Sequence, residues 1–80
     1  MPTVRFAWSP QLLAVRRETC PRAQWLARDR VWRMSHGDAV RFLAAAHARL
    51  DFARTRGEIA IDGTRWVIGF VGGAPYRLPS

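Results

Sequence analysis

The sequence predicts an α+β fold, with two helices packed on one side of a mainly antiparallel sheet in the order β-α-β-β-α-β-β. Three observations carry this expectation. Capping chemistry marks two helix starts, at Ser9-Pro10 and at Ser35 with Asp38 three residues on. The segments 23–34 and 57–73 each read as two short strands about a turn. A length of 80 residues with 49% hydrophobic content suits one small core and excludes a disordered chain.

Val4, Phe6 and Trp8 alternate within TVRFAW (3–8), which is the period of a strand with one face turned inward. Ser9 then serves as N-cap and Pro10 as the first helical residue. The helix is expected to run to about Thr19, with Leu12, Leu13 and Val15 inward. Arg16 falls beside Leu12, so its stem can follow the core rim while its head stays in water. Pro21 closes the segment, and Cys20 before it reads as a small apolar filler.

AQWLARDRVWRM (23–34) folds back on itself so that Trp25 faces Trp32. Two turns preserve that pairing, a tight Arg28-Asp29 tip or a four-residue loop from Ala27 to Arg30. Residues 35–57 form the clearest helix. Ala39, Phe42, Leu43, Ala46, Leu50 and Ala53 make its inward stripe, with Gly57 as the expected stop. The opposite side carries Arg41, Ala45, Ala48, Phe52 and Arg56. Asp62-Gly63 is strong hairpin chemistry, pairing Ile61 with Thr64 and Ile59 with Trp66. Ile59, Ile61, Trp66, Ile68 and Phe70 then share a face. Gly72, Gly73 and Pro75 are expected to end the strand. One domain is expected over 1–75, with a loose tail at 76–80.

Net charge is +7, and all 13 basic residues are arginine. Arginine without lysine fits a GC-rich coding bias, but that bias does not explain the excess over acid. A field of this sign attracts polyanions, and the guanidinium fork suits phosphate. The lone cysteine excludes an internal disulfide. The N-terminus lacks the apolar run of a secretory leader, and no stretch is long enough to span a bilayer. The expectation is a cytoplasmic protein.

SPQLL, then CPRAQW, then Trp32 seven residues after Trp25, together resemble the HARP domain. That small module stands beside the motor in annealing helicases of the SWI/SNF class and is similar to segments of mobile-element proteins. Pro10, Leu12, Pro21, Trp25 and Trp32 carry the likeness, which spans roughly residues 4 to 50. The resemblance implies binding of branched or partly single-stranded DNA. The chain has no helicase motor, so it implies binding without translocation.

Candidate site residues follow from charge. Arg28, Arg30 and Arg33 cluster on the first hairpin, with Arg16, Arg17 and Arg22 just before it. If the first helix ends at the hairpin tip, these six form one phosphate-gripping patch. Trp25 and Trp32, like Trp8 and Trp66, read first as core, because a domain this small has little else to bury, and second as base-stacking platforms. The competing surface is the outer side of the long helix, Arg41, Ala45, Ala48, Phe52 and Arg56, as a protein interface or self-association face. His47 and Asp51 are four residues apart, but no nucleophile accompanies them, so no catalysis is expected. Cys20, His36 and His47 lack metal-ligand spacing. GFVGGAP precedes no helix and so seats no phosphate. No cofactor, metal or small-molecule substrate is expected. The partner expected is nucleic acid, DNA before RNA.

Overall fold

The computed structural model describes residues 1–70 and 73–79. The architecture is α+β: β1 (Thr3–Phe6), α1 (Pro10–Thr19), β2 (Gln24–Leu26), β3 (Val31–Arg33), α2 (His36–Phe52), β4 (Arg56–Ile61), β5 (Thr64–Gly69) and β6 (Tyr76–Arg77). The strands form one antiparallel sheet in the order β2-β3-β1-β4-β5-β6. Both helices cover the same face.

Local chemistry sets the helix starts as the sequence predicts. The Ser9 hydroxyl accepts the Leu12 amide at 3.2 Å, with Pro10 at the first helical position. The Ser35 hydroxyl accepts the Asp38 amide at 3.1 Å. Each satisfies an amide that the first turn leaves without a helical partner.

The register sorts residues onto two faces, since directly opposed residues share a side. Val4, Phe6, Trp25, Trp32, Ile59, Ile61, Trp66 and Ile68 point toward the helices. Val4, Ile59 and Ile68 join Leu12, Val15, Cys20, Met34, Ala39, Phe42, Ala46 and Leu50 in the buried core. Phe6, Trp32, Ile61 and Trp66 pack around it, and the Phe6 and Phe42 rings lie 5.5 Å apart. Cys20 is fully buried, as a filler would be, and burial pushes its thiol pKa up. The opposite sheet face carries Arg5, Arg33, Arg56, Glu58, Arg65 and Tyr76, and neither helix packs on it.

Both hairpins pair as expected. Trp25 opposes Trp32 across a four-residue loop, and Ile59 opposes Trp66 across Asp62-Gly63. Asp62 (φ 51°) and Gly63 (φ 82°) are both left-handed, the turn that twists with its strands.

Four expectations are corrected. The long helix ends at Phe52, not near Gly57. Arg54 adopts φ 53°, its amide donates to Asp51 O, and the Thr55 amide donates to Leu50 O. This closes the last turn with arginine in the place usually held by glycine. Gly57 instead lies in β4, where an added Cβ would sit 2.7 Å from Leu50 Cδ1. Ala53 is exposed, and His47 takes a buried place on the helix stripe. The last strand of the second hairpin stops at Gly69, whose φ of 93° breaks the alternation, so Phe70 is exposed. The expected stop at Gly72 lies outside the described residues. Finally, the segment expected to be a loose tail contributes β6, where Tyr76 and Arg77 pair with Val67 and Trp66.

Candidate nucleic-acid interface

The six candidate arginines do not form one patch. The first helix ends at Thr19, and the chain turns through 20–23 into β2. The helix end therefore sits at the open end of the first hairpin, while Arg28 and Arg30 occupy the loop at its tip. Arg33 ends β3 on the helix-free face, where it donates to Gln24 Oε1. Arg22, Arg33 and Arg41 line one cleft of about 610 Å³ with Pro21 and Asp38. Arg17 is exposed in the last turn of α1.

Arg16 has the most unusual surroundings. Its guanidinium lies 4.2 Å from the centre of the Trp32 ring, and its Nη1 donates to Cys20 O at 3.2 Å. Its Nε is buried with no hydrogen-bond partner among the described residues. Burial, with Arg17 adjacent, lowers its pKa, and a guanidinium so placed remains cationic at neutral pH.

Three ion pairs occur among the described residues: Arg41 with Asp38, Arg49 with Glu18 at 2.9 Å, and Arg65 with Glu58 at 3.5 Å. None involves Arg16, Arg17, Arg22, Arg28, Arg30 or Arg33. The first hairpin and the helix end before it therefore carry cations without carboxylate partners.

Trp8 and Trp25 depart from the packing expectation, while Trp32 and Trp66 pack against the core as expected. Trp8 lies beyond the end of β1 and is 80% exposed, and Trp25 on the sheet edge is 50% exposed. With Phe6, Leu13 and Trp32 they line an open depression of about 430 Å³. Trp25 and Trp32 stand 5.1 Å apart at 54°, so neither ring spends its whole face on the other. The arginine loop joins the two strands that carry Trp25 and Trp32, and Arg5 ties it to the helix-free face, its Nη2 donating to Asp29 O at 2.7 Å. Arg5 escaped the sequence reading because a strand residue gives no sign of the loop it will reach.

The outer helix surface is also rearranged. Ala45 is partly buried against the core, and Arg56 belongs to β4 and lies on the helix-free sheet face. Arg41 is paired to Asp38. Ala48 and Phe52 are exposed, and Val40 and Ala44 join them at four-residue spacing. His47 does not face Asp51 as a catalytic partner. Its Nδ1 accepts the Gly69 amide at 3.0 Å in the interior. Among the described residues no cluster of His, Cys, Asp or Glu could hold a metal, and no helix is long and apolar enough to cross a membrane.

No protein-family model matches the chain, and neither does any curated protein or solved structure.

Proposed function

We propose that the protein is a small cytoplasmic nucleic-acid-binding module, without catalytic activity, that grips the phosphate backbone of single-stranded or branched DNA. The observation that carries this reading is the set of arginines lacking carboxylate partners on the first hairpin and the helix end before it. A guanidinium without a carboxylate partner gives up no ion pair when it takes a phosphate, and each contact releases a counterion. The HARP-like spacing of Pro21, Trp25 and Trp32 supports the same reading. Contacts of this kind position a strand rather than read its sequence.

The test replaces the loop cations. Arg28→Ala with Arg30→Ala should weaken DNA binding and lower the slope of log affinity against log salt by about 1 to 2. Both residues are exposed and neither is ion-paired, so the melting temperature should stay the same. Unchanged affinity and slope in the double variant would refute the assignment.

A second reading is a protein interface on the outer side of α2. Phe52, 91% exposed, and Val40, 54% exposed, favour it, with Ala44 and Ala48 between them.

A further inference from the structure

We propose that the depression lined by Phe6, Trp8, Leu13, Trp25 and Trp32 holds one unpaired base of a DNA single strand by stacking. This rests on the phosphate-gripping reading and deepens it: the arginines hold the strand, and the indoles hold a base.

The lining defines the ligand by what it offers. Among the described residues its only polar side-chain atoms are indole N–H groups, which donate and cannot accept. No carboxylate is present to attract an amine or a basic peptide. A ligand must therefore present a flat, polarisable face. Trp8 and Trp25 supply exposed indole surface for it, and Phe6, Leu13 and Trp32 complete the apolar wall. Recognition by ring faces tolerates any base, because every base has such a face. In a duplex those faces are stacked on their neighbours, so the base must come from an unpaired strand.

Charge complementarity selects a nucleotide over other flat ligands. Arg16 stands against Trp32, and the Arg28–Arg30 loop joins the two strands that carry Trp25 and Trp32. A nucleotide carries an anionic phosphate one sugar away from its base, so one strand engages the indoles and the guanidiniums together. A proline-rich peptide would match the aromatic wall and leave the cations without partners.

The experiment compares a short oligothymidylate with a fully abasic strand of equal length, by titration with tryptophan fluorescence. The wild-type protein should bind both in a salt-dependent way. It should bind the oligothymidylate roughly 5- to 100-fold more tightly, with quenched emission for that strand alone. Trp8→Ala should remove most of that preference and keep both the abasic affinity and the melting temperature. At the edge strand, Trp25→Phe should keep the preference and Trp25→Leu should lose it, a contrast that general unfolding would not produce. Equal affinity for the two strands without quenching would overturn the stacking site and leave the phosphate reading standing. Absence of salt-dependent binding to either strand would overturn the phosphate reading and the stacking site with it. Tighter binding of duplex than of oligothymidylate, or displacement of the oligothymidylate by a proline-rich peptide, would also overturn the stacking site.

Discussion

Gly69 and His47 form a contact on which the far end of the sheet depends. The Gly69 amide donates to His47 Nδ1, and an added Cβ at Gly69 would stand 2.0 Å from Thr55 O, a backbone atom that cannot swing away. Its φ of 93° adds strain for any L side chain. Gly69→Ala should therefore cost about 3 kcal/mol or more in urea unfolding. Gly63 is the contrast. It is also left-handed, but nothing lies within 4 Å of its absent Cβ. Gly63→Ala should cost only about 1 kcal/mol, the backbone penalty alone. Similar losses at the two sites would show that the close approach at Gly69 is not what matters. A histidine four residues before an aspartate looks like a surface pair, but its acceptor is used by a distant strand, which helix spacing cannot reveal.

At the level of elements, the end of α2 is the informative case. The helix closes on a pair of backbone bonds around Arg54, which bears the left-handed conformation without being glycine. Arg54→Gly should raise stability by about 0.5–1 kcal/mol, seen as a higher urea midpoint with an unchanged slope. The arginine also lies 5.9 Å from the Phe70 ring, and losing that weak contact trims the gain. A lower midpoint would mean that the Phe70 contact outweighs the backbone strain. The expected stop at Gly57 came from residue type, and glycine does matter there, but for a different reason. It lets β4 pass close to Leu50. One residue type serves both purposes, so composition alone could not separate them.

At the scale of the fold, two layers leave two surfaces without a covering element among the described residues. The helix-free sheet face presents Arg5, Arg33, Arg56 and Arg65 with one acid, Glu58, among them. The outer face of α2 presents Val40, Ala44, Ala48 and Phe52. If that helix face joins copies of the chain, sedimentation velocity should show association rising with concentration, and Phe52→Asp should abolish it. With Phe52 91% exposed, the substitution should shift stability by no more than about 0.5 kcal/mol. A monomer at every concentration would remove the self-association version of the interface reading. A net charge of +7 opposes self-association at low salt, so the measurement belongs at moderate ionic strength.

What the sequence determined by itself was local. Ser9-Pro10 and Ser35 with Asp38 start the helices, and Asp62-Gly63 makes the turn. Trp25 meets Trp32 and Ile59 meets Trp66, because capping, turn geometry and alternation act over a few residues. Tertiary structure alone decided where those pieces lie. The strand order puts Trp25 on the edge and Trp32 one strand in, although alternation treats the two alike. An edge residue has a neighbour on one side only, and α2 packs over β4 and β5 at the other end of the sheet. Trp25 therefore keeps half its surface open, and Trp8, past the end of its strand, keeps more. The arginines divide for a related reason. The chain leaves α1 at the open end of the hairpin, and the tip stands a full strand away. Exposure and clustering depend on what packs alongside, and no local rule carries that information.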